Sequence, residues 1–425
     1  MNRSAALAPA LAESARIVAR VAQGRSLATE FERIADSGAE TPRAALMDLS
    51  YGTLRRYGRV QAIVRALSRR VSEDTLLDAL LWCSIQAIES GRYAEHTVVH
   101  QAVGACGLLE KWNAKGYVNA VLRRYLRERS TFAARIEKNL EARYQHPSWW
   151  IEEVKTAYPQ QWEAVLAAGN IHPPMCLRIN RRRQDVAGYQ MRLREAGIAA
   201  QTIGDCGLVL EKPLPTERLP GFAEGDVSVQ DAGAQRAAPC LDLAAGQRVL
   251  DACAAPGGKS GHILESADVA LTCLDERPER VALIERMLQR LHLSASVQKA
   301  DCTKLEEWWD GRHYDRILAD VPCSASGVAR RHPDLKWLRR AEDVGAFADR
   351  QSKILDVLWR VLAPNGKLLY ATCSVFPREN EDVVQAFVAR SVGALRLPLP
   401  DGETSQWLPG AKHDGFYFAL VAKQA

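Results

Sequence analysis

RVLDACAAPGGKS (residues 248–260) is the stretch on which the fold of this chain turns. Its first six residues form a short apolar run of the kind that fills a buried parallel strand. Glycines follow at 257 and 258, and a helical pattern begins directly after them. A strand, a glycine turn and a helix in this order put backbone N–H groups at a helix N-terminus, where a ligand can come close. A phosphate-binding P-loop needs G-x-x-x-x-G-K-[ST]. Gly258, Lys259 and Ser260 supply its end, but the required first glycine falls on Cys253. The dinucleotide fingerprint G-x-G-x-x-G is also absent. The loop therefore predicts a nucleoside site of another kind.

Outward from this loop, strands and helices alternate from 231 onwards. ALTCLD (270–275), ASVQKAD (295–301), RILADV (316–321) and KLLYAT (367–372) read as further parallel strands. Helices are predicted near 258–266, 277–291 and 345–362. This is a doubly wound α/β pattern, which binds ligands at the carboxyl ends of its strands. FYFALVAK (416–423) reads as a last strand, antiparallel at one edge. Asp275, Asp301 and Asp320 end successive strands. One such aspartate is ordinarily a turn former or a helix cap. Polar groups at four consecutive strand ends around one glycine loop favour a cofactor site. Asp275 suits a pair of ribose hydroxyls, and Asp301 an adenine amino group.

Upstream, residues 5 to about 140 carry apolar positions at spacings of three and four, such as Leu76, Leu77, Leu80, Leu81 and Ile85. No alternating pattern competes. Helices are predicted near 8–22, 25–35, 43–67, 72–90, 94–109 and 114–128. His146-Pro147 then breaks the pattern. Between 174 and 230 the runs MCLRIN, GLVLEK and DVSVQD read as short strands, with one helix near 183–196. The expected architecture is multidomain: an all-α domain over 1–140, a small α+β subdomain over 141–232 and the doubly wound α/β domain over 233–425.

The net charge of +5 is unevenly placed. Residues 1–143 hold 22 Lys and Arg against 15 Asp and Glu, a balance of +7, and the remainder holds 34 against 36, a balance of −2. A polyanionic partner is the functional reading. A solvated helical surface is the commoner origin of so small an excess. Arg55, Arg56, Arg59, Arg69, Arg70, Arg123, Arg124 and Arg127 are available to such a face, with nothing to separate them from ordinary surface arginines. No stretch has the apolar continuity of a signal peptide or a bilayer span. A cytoplasmic chain with no membrane partner is expected. Ten cysteines lie scattered with no C-x-x-C pair, which argues against a metal site and against a disulfide framework.

Two cysteines stand apart by position. ADVPCSASG (319–327) follows the fourth strand and YATCSVFPREN (370–380) the fifth, so Cys323 and Cys373 both fall at the ligand-binding edge. A redox dithiol is the alternative, although such pairs usually occupy a C-x-x-C helix start. Position alone does not rank the two. Arg330, Arg331, His332 and Lys336 follow the first loop and are candidates for holding phosphates of a polyanion. A solvated loop is the plainer reading.

DACAAPGGKSGHILE, LDERPERV, KADCTKL, ADVPCSASGVARRHPDLKW and YATCSVFPRENEDVV together resemble the successive motifs of the RNA cytosine-C5 methyltransferases. The RRHPDLKW run and the whole-chain layout look most like the bacterial small-subunit ribosomal RNA branch, the Sun/Fmu type. There a helical domain similar to the transcription antitermination factor NusB precedes the catalytic part. DLSYGTLRRYGR (48–59) and KGYVNAVLRRYLRE (115–128) look like its helices. The resemblance implies a NusB-like RNA-binding domain and a Rossmann-like class I methyltransferase domain. It implies S-adenosyl-L-methionine as cofactor and 16S rRNA, free or in an early small-subunit precursor, as partner of a monomer. The implied product is 5-methylcytosine, at cytosine 967 in the standard rRNA numbering.

The chemistry of that reaction explains why a cysteine is needed. Carbon 5 of cytosine is a poor nucleophile. A thiolate added at carbon 6 makes carbon 5 enamine-like, able to take a methyl group from a sulfonium. Loss of the carbon-5 proton then expels the thiolate. The thiol must be partly ionised, and Lys259, Arg330 and Arg331 are candidate positive charges. By the resemblance, Cys373 is the nucleophile and Cys323 assists release. Cys253, Ala254, Ala255, Pro256, Gly257, Gly258 and Lys259 line the methionine and ribose side of the cofactor. Asp275, Asp301 and Asp320 contact ribose, adenine and the reacting region. The alternatives are a transfer-RNA cytosine-C5 methyltransferase and a non-catalytic rRNA-binding assembly factor.

Overall fold

The structure, a computed structural model, describes residues 7–36, 41–68 and 73–425. Arg69, Arg70 and the predicted helix start at 72 lie outside these residues. The chain forms two compact units, Met1–His172 with Ala329–Ala341, and Pro173–Val328 with Glu342–Ala425. This differs from the expected division, because a short segment of the expected third domain folds with the N-terminal helices.

The first unit is all helical among its described residues. Its main helices are Leu7–Ala22, Leu27–Asp36, Arg43–Arg55, Tyr57–Leu67, Thr75–Glu89, Glu95–Leu108 and Lys115–Ile136. Asp74 starts one of them by accepting from the N–H groups of Leu76 and Leu77, a standard N-cap. The single helix predicted over 43–67 is two. The break falls at Arg56, and it lets Tyr57 turn into the core edge-on to Trp82, with ring centroids 5.0 Å apart. Leu11, Ile17, Val18, Leu80, Leu81, Ile85, Val98 and Leu122 meet in that core. The segment Ala329–Ala341 is stitched to the helices. Asp334 accepts from the Leu27 N–H at 2.9 Å, and the Trp337 indole donates to the Leu54 carbonyl at 3.1 Å.

The second unit holds two sheets. Strands β1 (Met175–Ile179), β2 (Ala200–Ile203), β3 (Gly207–Leu210) and β4 (Val227–Val229) form an antiparallel sheet of order β2-β3-β1-β4. Helix Val186–Glu195 packs Tyr189 and Leu193 against Leu177, Leu208 and Val227. β2 escapes a sequence reading because none of its residues is buried, so it carries no apolar alternation.

The larger sheet contains β5 (Arg248–Asp251), β6 (Ala270–Asp275), β7 (Ser296–Lys299), β8 (Tyr314–Asp320), β9 (Leu362–Thr372), β10 (Ala394–Leu397), β11 (Gln406–Trp407) and β12 (Phe416–Lys423). Its order is β10-β12-β9-β8-β5-β6-β7, with β11 paired to β12. β5 to β9 are parallel. Alternate residues feed opposite faces: Leu250, Ile317, Leu368 and Tyr370 enter one core, and Val249, Leu318, Leu369 and Ala371 the other. That is the period-two side-chain alternation of a strand covered on both sides. The chain runs outward through β6 and β7, then returns to place β8 and β9 on the other side of β5. A crevice therefore opens at the carboxyl ends of β5 and β8, the switch point of the sheet. β12 is antiparallel to β9, as expected, but it is not the edge. β10 lies outside it. That strand is four residues long and half-exposed, and the Arg396 guanidinium on it is held by Glu381 rather than by apolar packing.

One buried ion pair ties the small sheet to the glycine loop. Arg178 of β1 donates to both oxygens of Glu265 at 2.8 Å, to Gln230 Oε1 at 2.6 Å and to the Gly258 carbonyl at 2.6 Å. Burying a guanidinium is costly unless its donors are satisfied. Here four bonds satisfy it, and one of them fixes the first residue of helix Gly258–Ser266.

Candidate active site

β8 and β9 run parallel with Asp320 beside Ala371, so the loops that follow leave the sheet as neighbours. Cys323 and Cys373 meet on these loops, with their Sγ atoms 3.4 Å apart. Both are free thiols, Cys323 buried and Cys373 half-buried. The Gly327 N–H donates to the Cys373 carbonyl at 2.8 Å and joins the two loops. The hydrogen bond to the Cys373 sulfur, then burial, then the Cys373 and Glu379 charges hold the Cys323 thiol well above its ordinary range. Cys323 therefore holds its proton more tightly than an ordinary thiol, in a contact where either sulfur can donate.

Lys259 stands in the same place. Its Nζ lies 2.6 Å from Asp320 Oδ2, and both side chains are largely shielded. Burial opposes the charge on Lys259, but the Asp320 carboxylate, with Cys373 and Asp251, outweighs it and pushes the ammonium pKa up. A permanent positive charge thus acts on Cys373, the condition for a reactive thiolate. The structure brings together the two sulfurs, the lysine and one aspartate of the set read from the sequence.

The glycine loop forms the adjoining edge. Gly257 takes a left-handed conformation, φ 97°, at the start of helix Gly258–Ser266. A Cβ there would come within 2.5 Å of Met287 Cε and 3.3 Å of Ile284 Cα. Ala255 and Pro256 are joined by a cis peptide bond. Arg280 donates to the Ala255 carbonyl at 3.0 Å and lies 3.5 Å from Asp275 Oδ2, so it braces the loop against the end of β6. Ala254 and Ala255 are buried, and Cys253 is half-buried. Hydrogen bonding to Cys302, then burial, raises the Cys253 thiol well above its usual range. Asp301 sits two residues past the end of β7, not on it. Its Oδ1 accepts from the N–H and hydroxyl of Thr303 at 3.0 and 2.8 Å, so it serves as a turn former as well as an edge residue.

Asp251, which the sequence reading passed over, is informative. It is 1% exposed, its Oδ2 accepts from Ser260 Oγ at 2.7 Å, and its Oδ1 has no partner. Burial pushes its carboxyl up to about 7. An orphaned buried carboxyl oxygen beside a glycine loop, with Asp275 at the next strand end, fits a nucleoside that carries a cationic tail.

The other unanticipated residues lie under the cysteines. Ser324, Ser326, Ser374, Gln351, Glu379 and Asn380 are all buried and hydrogen-bonded to one another or to the loop backbone. A signal was present: a serine follows each of the two cysteines.

Two of the four candidate phosphate ligands need correction. Arg330 and Lys336 belong to the helical unit and are 1% and 0% exposed. Lys336 donates to the Arg55 carbonyl at 3.2 Å and to Asn170 Oδ1 at 2.7 Å. Burial, then the Arg55 charge, depresses its ammonium well below the usual lysine range. Arg55 in turn donates to the Arg330 carbonyl at 3.1 Å. These two side chains are internal rather than at the surface. Arg331 is half-buried and His332 is exposed.

Comparisons with known proteins identify the family. The family described as 16S rRNA methyltransferase RsmB/F matches residues 238–422. A ferredoxin-like domain of RsmF/B-like methyltransferases matches 146–217, and the NusB family matches 12–127. The chain is 40% identical to Ribosomal RNA small subunit methyltransferase B of Pseudomonas syringae pv. tomato, over 100% of this chain and 98% of the relative. It is likewise 40% identical to the protein of that name from Vibrio cholerae, over 100% and 98%. The crystal structure of PH0851 shares the fold, with a TM-score of 0.80 at 22% identity, over 98% of this chain and 99% of that one. The chain belongs to the RsmB/F family of 16S rRNA methyltransferases, built from a NusB-like helical domain, a ferredoxin-like subdomain and a Rossmann-like methyltransferase domain.

Proposed function

We propose that this methyltransferase converts one cytosine of 16S rRNA, cytosine 967, to 5-methylcytosine through a covalent bond between Cys373 and carbon 6. The observation that supports it is the pair of thiols 3.4 Å apart beside a lysine–aspartate ion pair. Burial and the neighbouring sulfur hold the Cys323 thiol up, and the half-buried Cys373 is the sulfur assigned to attack. Lys259 stabilises that thiolate. Asp320 holds Lys259 in place and has its other oxygen for the polar edge of the base. S-adenosylmethionine, when bound, supplies an electrophilic methyl group on a sulfonium. Asp251 and the backbone of Cys253, Ala254, Ala255, Pro256, Gly257 and Gly258 would hold its amino-acid side, Asp275 its ribose hydroxyls and Asp301 its adenine.

Addition of Cys373 to carbon 6 puts electron density on carbon 5, which then takes the methyl group. Loss of the carbon-5 proton to a base restores the ring double bond and expels the Cys373 thiolate. The Cys323 S–H is placed to hydrogen-bond the departing sulfur. The target base must leave its helix to reach this edge. The basic excess over residues 1–143 favours the polyanion on the helical side. The chain works as a cytoplasmic monomer on free 16S rRNA or an early small-subunit precursor.

The test is bisulfite sequencing of RNA from cells with and without this protein. One protected cytosine of 16S rRNA should become convertible in its absence. Unchanged 16S rRNA with a lost mark in transfer RNA would overturn the substrate assignment.

A further inference from the structure

Glu379 touches neither sulfur, yet it is bonded to the residue after each of them. It follows the Cys373 loop in the short turn Pro377–Glu379 and is 0% exposed. Its Oε1 accepts from the backbone N–H of Ser324 at 2.7 Å, and its Oε2 accepts from Ser374 Oγ at 2.7 Å. Ser324 adjoins Cys323, and Ser374 adjoins Cys373. Gln351 donates to the same Oε1 at 3.3 Å and to the Pro322 carbonyl at 3.0 Å. The Tyr370 hydroxyl donates to the Glu379 carbonyl at 2.5 Å. The hydroxyls of Ser324, Ser326 and Ser374 close the network at 3.0 to 3.2 Å. One carboxylate therefore spans two loops that come from different strands.

We propose that Glu379 is the positioning residue that clamps the two cysteine loops and fixes their sulfurs against each other for attack on the base. A carboxylate desolvated this fully needs its lone pairs filled, and the donors that fill them are the cysteine loops themselves. Parallel strands deliver the loops side by side but leave their tips free to turn. The Sγ–Sγ distance is set by what lies underneath. The charge has a second effect, since it adds to the forces that keep the Cys323 thiol protonated. The clamp thus acts on placement and on the inequality of the pair.

The proposal rests on the cytosine-C5 reading, and a trapping assay separates the two. The probe is 16S rRNA transcribed with 5-fluorocytidine, incubated with S-adenosylmethionine. Fluorine at carbon 5 cannot leave as a proton does, so the covalent protein–RNA adduct persists on a denaturing gel. The wild-type chain should form it. Glu379→Ala should form it at least tenfold more slowly, with the S-adenosylmethionine dissociation constant within twofold of wild type. Glu379→Gln keeps an oxygen for the Ser324 N–H and a group for Ser374, and it should recover trapping to within about threefold. A residue that served only general folding would shift cofactor binding and trapping together. Should Glu379→Ala fold poorly, Ser374→Ala removes the bond from the Cys373 loop to Glu379, together with the hydroxyl contacts to Ser324 and Ser326, and should show the same selective slowing. Trapping at the wild-type rate in a folded Glu379→Ala, or in Ser374→Ala, overturns the clamp. No adduct from the wild-type chain overturns the cytosine-C5 reading, and the clamp with it.

Discussion

Beneath Cys323 and Cys373 the buried polar atoms of Ser324, Ser374, Gln351, Glu379 and Asn380 are bonded to one another or to the loop backbone. At the end of β5, a short way along the same sheet edge, Asp251 is as deeply buried and leaves Oδ1 with no partner. The difference fits the task proposed for each region. Covalent chemistry needs reactive atoms held in place before the substrate arrives, so supporting groups satisfy one another. Reversible binding gains when the ligand completes a bond that the free protein lacks. A buried unsatisfied group costs about 1 to 3 kcal/mol, and a ligand that pairs with it relieves that cost.

Substitutions on the two sides should therefore separate chemistry from binding. The largest effect is expected at the proposed nucleophile. Cys373→Ala should lower methyl transfer to 16S rRNA by at least about 1,000-fold, with cofactor binding by calorimetry unaltered; transfer above a tenth of the wild-type rate would remove Cys373 from that role. Cys323→Ala should still attack but release slowly. Turnover should fall on the order of 100-fold while an adduct with unmodified RNA accumulates, and a gel without that adduct would assign Cys323 another task.

On the binding side the effects are smaller. The folded chain keeps the Asp251 proton to about pH 7, whereas the unfolded chain releases it near pH 4. Between those values the unfolded state binds fewer protons, so stability falls as pH rises. Asp251→Asn escapes that loss. In urea titrations it should gain about 4 kcal/mol over the parent at pH 8 and nothing near pH 4; an equal difference at both would mean that Asp251 is ionised in the fold. Asp275→Asn should weaken S-adenosylmethionine about tenfold, or ~1.4 kcal/mol, without changing the rate once the cofactor saturates. A change in that saturated rate alone would move Asp275 from the ribose to the reacting centre.

The parts legible in the sequence were those with a strong local period. The parallel strands read as apolar runs because both faces of the sheet are covered, and RVLDACAAPGGKS fixed the position of the loop. The two cysteines and Lys259 were visible because strand order brings them to one edge. β2 and β10 stayed hidden, since short half-exposed strands need a partner before they have a pattern. The Glu379 network was hidden for a related reason: its hydrogen bonds join residues 28 and 55 positions apart in the chain. Arg330 and Lys336 misled because charge suggests solvent. In this chain both are buried, with Asn170 and the Arg55 carbonyl accepting from Lys336.

The return of Ala329–Ala341 to the helical unit bears on synthesis. The chain crosses between its compact units three times, after His172, after Val328 and after Ala341. A ribosome that has made the first 172 residues has made every main helix of the N-terminal unit but not the strap that bonds to Leu27 and Leu54. Domains generally fold as units, the N-terminal one first. Here the strap that bonds to the first domain is made more than 150 residues after it. A fragment cut at 172 would lack Asp334 and Trp337, and with them the bonds to Leu27 and Leu54.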